Sequence, residues 1–105
     1  MLTSLDKLNA KIFSEQLNTQ FKLHHEGAEP MMLKLVEVKE SDPSPKIELF
    51  ALHFLGATAP RLPQKMFLLE HDKLGKFEIF LTAIGADAQG ILYESIFHRF
   101  RKTGP

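Results

Sequence analysis

Between Leu62 and Phe97 lie three runs rich in apolar, β-branched and aromatic residues: Lys65 to Glu70, Lys76 to Ile84 and Gly90 to His98. Only short segments with turn chemistry part them, and short turns join antiparallel strands, so the stretch predicts a three-stranded meander. The first connection, His71-Asp72-Lys73-Leu74-Gly75, puts Asp72 where a type I turn starts and Gly75 where the chain needs positive φ before re-entering a strand. Gly85 and Gly90 bracket the second. His71 or Asp72 is expected to bond the backbone of its own turn, which makes His71, Asp72 and Gly75 structural turn residues.

The rest of the chain supplies strands that complete this sheet. Thr19 to His25 alternates, with Phe21 and Leu23 on one face. Met31 to Glu40 continues in extended form, but its apolar set changes face from Leu33 and Leu35 to Val36 and Val38, which places a β-bulge near Leu35 and Val36. Ser41-Asp42-Pro43-Ser44-Pro45 reads as a loop, and Gly56 to Pro63 as a long connection into the meander. Lys46 to Leu55 is apolar on both faces and is expected to be a central strand covered on both sides. Helical spacing is confined to Ser4 to Gln16, where Leu5, Leu8, Ile12 and Phe13 recur; Ser4 can cap the start, or Asn9 a shorter helix from Ala10. This helix is expected to pack across an open end or edge of the sheet. Residues 99–105 form a basic tail that is expected to fray. The fold class is therefore mainly β: one domain over residues 1–105, a six-stranded antiparallel barrel or sandwich with a short N-terminal helix.

Composition narrows the function classes. Without Cys, disulfide frameworks and thiolate chemistry are excluded, which fits a reducing cytoplasm. The first residues lack an unbroken apolar core for a signal peptide, and no run approaches a membrane helix. Thirteen basic residues balance thirteen acidic ones, which argues against a protein that grips nucleic-acid phosphates.

The five histidines invite a metal, but His24 and His25 are adjacent on a strand and point to opposite faces, while His53, His71 and His98 lie on separate strands. They read as exposed strand-face and turn residues, and no metal, cofactor or catalytic residue is assigned. In Glu70-His71-Asp72 the two carboxylates face away from the imidazole, so the trio forms no acid-base dyad. Ser95 with His98 and Glu94 lies mid-strand, without the strained elbow of a nucleophile. Tyr93 shares the face of Ser95 and Phe97 and is expected to pack in the core with its hydroxyl bonded at the rim. Phe50, Phe54, Phe67, Phe77 and Phe80 sit among aliphatics and read as core. Aromatic and basic residues interleave only in the tail, where His98, Arg99, Phe100, Arg101 and Lys102 are candidate interaction residues.

The succession Leu62-Pro63-Gln64, Leu69-Glu70-His71, Leu74-Gly75, Ile84-Gly85 and Tyr93-Glu94-x-x-Phe97 resembles a family of small bacterial domains of uncharacterised function, from about Leu8 to Phe97. The chain departs from that pattern at Ala83, where Pro is expected. The resemblance implies one compact domain and carries no catalytic motif or cofactor.

A surplus of apolar positions remains on Lys46 to Leu55 and Met66 to Leu69 for the short helix, a partner or a second copy to cover. The expectation is a non-enzymatic binding or assembly module acting through protein partners or self-association, for instance in a phage-tail-like or other multiprotein bacterial assembly. A small-ligand or nucleic-acid-binding barrel is the alternative, and a hydrolase built on His71 the third.

Overall fold

In the computed structural model, which describes residues 2–41 and 44–100, six strands follow a short helical lead-in. The strands are β1 (Gln20–His24), β2 (Met31–Glu40), β3 (Ile47–Gly56), β4 (Lys65–His71), β5 (Gly75–Asp87) and β6 (Gly90–Phe100). All neighbours are antiparallel, and the order β1-β2-β3-β6-β5-β4 closes on itself through Lys22↔Glu70, Leu23↔Leu69 and His24↔Leu68 between β1 and β4. Closure decides between barrel and sandwich in favour of the barrel, and it leaves the first strand no bare edge.

The meander is present as β4-β5-β6, and the bulge falls between Leu35 and Glu37. Two boundaries differ from expectation. β5 runs on through Gly85 and Ala86 to Asp87, with a register shift between Ala83 and Gly85. Pairing with Leu92 and Ile91 overrides the poor strand propensity of these small residues. The turn that follows is held by Asp87, whose Oδ1 accepts from the N–H groups of Gln89 (2.7 Å) and Gly90 (3.3 Å). β6 also outlasts its expected end, so that Arg99 and Phe100 belong to a strand rather than to a frayed tail. Arg101 and Lys102 lie outside the described residues, as do Asp42 and Pro43 of the loop before β3.

The lead-in breaks in two. A 3-10 turn, Leu5–Lys7, is capped by Ser4, and the helix α1, Ala10–Ser14, by Asn9, whose Oδ1 accepts from the Ile12 N–H at 2.9 Å. An Asn side chain that satisfies the start of one helix cannot let the preceding turn run through it. α1 plugs one end of the barrel with Phe13, fully buried with its ring 5.9 Å from Phe77 and Phe97 and 6.2 Å from Phe50. Further along the interior sit Phe21, Phe54, Leu33, Leu35, Leu69 and Tyr93. The Tyr93 hydroxyl accepts from the Leu62 N–H at 3.1 Å, fastening the β3–β4 connection over the core.

β3 lies centrally, between β2 and β6, but no second layer covers it among the described residues. Phe50, Leu52 and Phe54 face the buried interior, while Ile47, Leu49, Ala51 and Leu55 on the outside are half-buried. Gly75 holds φ +81°, and a Cβ there would lie 2.6 Å from Thr3 Oγ1. Gly75→Val is therefore expected to cost about 1 to 3 kcal/mol, read by thermal melting; an unchanged melting temperature would show that the β4–β5 turn tolerates an ordinary residue.

Candidate functional site

The side chains that look most like chemistry are engaged with the chain itself. His71 Nδ1 accepts from the N–H groups of Lys73 (3.0 Å) and Leu74 (3.3 Å), so its proton resides on Nε2, 2.9 Å from Thr19 Oγ1. The Thr19 hydroxyl in turn donates to the Gln16 carbonyl at 2.7 Å. One buried imidazole thus fixes the β4–β5 turn and ties it to the segment after α1, while Asp72 beside it is exposed. Glu70 points outward to His24, 2.9 Å away, so Glu70, His71 and Asp72 do not converge.

Burial holds the His71 imidazole below its usual range, against an opposing pull from Asp72. A proton on Nδ1 would face two N–H donors, so the geometry acts in the same direction. The unfolded chain then takes up this proton at higher pH than the folded one. Stability from His71 is complete above about pH 6.5 and is lost as pH falls through the lower folded value. Glu70, held below the usual carboxylate range chiefly by its bond to His24, adds a loss of the same sign at lower pH. Melting temperature is expected to fall on acidification below about pH 6.5, and His71→Gln to be less stable at neutral pH with a flatter profile there. An identical profile in the variant would remove His71 as the cause.

His53, on the outer face of β3, is buried rather than exposed. Its Nδ1 lies 2.9 Å from Glu37 Oε1 and its Nε2 2.9 Å from Glu94 Oε2, in one row across β2, β3 and β6. Both ring nitrogens are occupied, and no group of three or more His, Cys, Asp or Glu among the described residues could hold a metal ion. Ser95 is buried toward the interior while His98 is exposed outside, which separates them.

Of the candidate interaction residues, Arg99 is spent on the fold. Its Nε donates to Glu48 Oε1 (2.8 Å), and its two other nitrogens donate to the carbonyls of Leu5 (2.9 Å) and Leu8 (2.6 Å). The guanidinium also lies over the rings of Phe50 and Phe97, 5.7 and 5.4 Å from their centroids. His98 and Phe100 do face solvent.

Beside these engaged groups the fold leaves several large apolar side chains exposed. The ladder between β5 and β6 pairs Thr82–Asp87 with Gly90–Glu94 and stops there. Below Thr82, β5 stays paired with β4 and β6 with β3, but the two lips part into a groove of about 250 Å³. The N-terminal segment fills its lower end: Leu2 bridges Lys76 in parallel, and Thr3 N–H donates to the Lys76 carbonyl at 2.6 Å. Above it, Met66 of β4, Phe80 of β5 and Ile96 of β6 stand on the outer surface with exposures of 52, 45 and 61%. Met66 pairs with Phe80 and Ile96 with half-buried Ala51, so one apolar row crosses four strands and the groove. Phe100, 81% exposed, extends the patch on β6.

Phe80 is thus outside, not in the core. Its signal in the sequence was parity: Phe77, Ile79 and Leu81 already fill the inner face of β5, and Phe80 falls between them. The same parity marks Ile96 between Ser95 and Phe97.

A family model described as "Domain of unknown function (DUF6916)" matches residues 8–97, and the chain belongs to that family. No curated protein and no solved structure matches the chain.

Proposed function

We propose that this domain is a non-enzymatic binding module that docks onto protein through the outer row Met66, Phe80 and Ile96, as one part of a larger multiprotein assembly of the phage-tail-like kind or another. The contiguous exposure of these side chains across an open groove carries the reading. Exposed apolar surface is costly to keep in water unless something covers it, and a patch of this kind is a common mark of a protein interface. The assignments of His71, His53, Glu70 and Arg99 within the fold support a domain without chemistry of its own. Interior side chains such as Phe13, Phe21, Phe54 and Phe77 occupy the barrel. Among the described residues no helix is long and apolar enough to cross a membrane.

The test is photocrosslinking in the cells that make the protein, with benzoylphenylalanine at Phe80 and, as control, at Glu29 in the exposed β1–β2 turn. Discrete protein adducts from position 80 that vanish on Ile96→Asp are expected. Equal adducts from both positions, or none from position 80, would overturn the reading.

A further inference from the structure

The lower halves of β5 and β6 are each paired on one side only. β4 pairs with β5 from Gly75 to Leu81 and β3 with β6 from Ile91 to Phe100, while the β5–β6 ladder stops at Thr82↔Glu94. Successive residues of a strand turn their N–H and C=O groups to opposite sides, so parity tells which of these groups are left over. The Lys76 carbonyl receives the Thr3 N–H on the side away from β4. Glu78 and Phe80, in step with Lys76, therefore turn their main-chain groups into the groove. On the other lip the Leu49 carbonyl receives the Ser41 N–H on the side away from β6, so Glu48 and Phe50 face β6. Their register partners Arg99 and Phe97 answer them, and Ile96 and His98 are left facing the groove. None of these four residues has a partner in the β5–β6 ladder, and they present donors and acceptors from both sides of one gap.

We infer, on the strength of the binding-module reading, that this groove takes in a short extended segment of a partner protein as an added strand between β5 and β6. The chain itself makes the first step. Leu2 and Thr3 already lie in the lower end of the groove, paired parallel to β5, before the chain leaves it at the Leu5–Lys7 turn. A guest strand continues the line that they begin. Above them residues 77–81 span about 16 Å, room for about five extended residues. In strand addition the affinity comes from main-chain hydrogen bonds and the side-chain pockets choose the sequence, so a groove of about 250 Å³ is no bar. Neither lip carries a proline that would blunt it.

The guest's side chains follow the same parity. A residue between Phe80 and Ile96 enters the exposed apolar row and favours a β-branched or aromatic side chain. Two positions along, between exposed Glu78 and His98, a polar one fits. A second folded copy does not supply such a segment from its described residues, because its six strands are already paired within its own barrel.

The test uses peptides selected on the full chain from a phage library of random twelve-residue sequences, the strongest binder then being made synthetically. In a two-dimensional NMR titration up to about 1 mM peptide, the amides of Glu78, Phe80, Ile96 and His98 are expected to shift together and to gain protection from hydrogen exchange. N-methylation of the peptide separates the two lips. Methyl groups on one alternate set of amides block bonds to β5 and those on the other set block bonds to β6, and each is expected to weaken binding about tenfold or more. Glu78→Pro removes an N–H that faces the groove and no bond of the β4 ladder. This variant is expected to melt near the parent and to lose about tenfold or more in peptide affinity. If it does not fold, the methylated peptides decide alone.

A library that yields no peptide binding by about 1 mM would overturn the inference, as would shifts that spare either lip. Undiminished binding of either methylated set would overturn insertion between two strands. Light scattering of the chain alone that shows a dimer dispersed by the peptide would give the groove to a second copy and overturn it too. If both methylated sets bind undiminished while position 80 still crosslinks to protein in cells, strand insertion fails and the binding-module reading stands. No peptide and no adducts sink both.

Discussion

Phe13→Ala should destabilise the domain more than any other single truncation considered, by about 4 kcal/mol. The ring is fully buried and touches three others, one from each of β3, β5 and β6, so its removal opens a cavity where the barrel end is sealed. Collapse cannot easily refill the space, since the walls are hydrogen-bonded strands and α1 has only five residues. A domain of this size has roughly 5 to 15 kcal/mol in total, so the variant loses a large part of its stability and melts on the order of 15 °C lower or more. Phe13→Leu, which keeps most of the volume, should lose only about 1 to 1.5 kcal/mol. Chemical denaturation of both variants decides the matter. A loss below about 1 kcal/mol for the alanine variant would mean that α1 lies on the barrel without plugging it.

Arg99→Ala should cost about 3 kcal/mol for a different reason. One guanidinium serves Glu48 and the carbonyls of Leu5 and Leu8, and removing it strands a mostly buried carboxylate together with two acceptors. Arg99→Lys should recover little, because an ammonium cannot present three donors in the planar fork that these oxygens require. Glu48→Gln keeps an acceptor for the Nε donor and should cost only about 1 kcal/mol. The contacts are largely withdrawn from water, so the loss should be nearly insensitive to salt. An Arg99→Ala variant that melts within a few degrees of the parent would instead return this residue to the surface.

Arg99 also shows where composition misleads. Read in line, His98-Arg99-Phe100-Arg101-Lys102 is a basic run after the last strand; in space, β3 draws Arg99 and Phe100 into register with Glu48 and Ile47. No local property of the run announces a partner 51 residues away. His53 repeats the lesson. Alone on an apolar strand it reads as an exposed histidine, yet Glu37 and Glu94 lie opposite it because a bulge sets the β2 register and the β6 ladder sets the other. The turn role of His71 was more legible, since its main partners are two and three residues away.

The amino-acid sequence by itself determined the elements whose information is local. Period-two patterning drew the strands, a change of face in that pattern drew the bulge, and Gly75 the β4–β5 turn; for the helix start the pattern offered both Ser4 and Asn9, and the structure uses each to cap a separate turn. It also determined that more apolar side chains exist than one barrel interior can take. Tertiary structure alone decided that β1 pairs with β4 and closes the sheet, that Arg99 turns inward, and that β5 and β6 part below Thr82. These outcomes hang on pairings between residues far apart in the chain, where geometry and loop closure choose among partners that local pattern leaves equivalent. The surplus apolar side chains were legible as a number, but only the parting of two strands gathered Phe80 and Ile96 into one face.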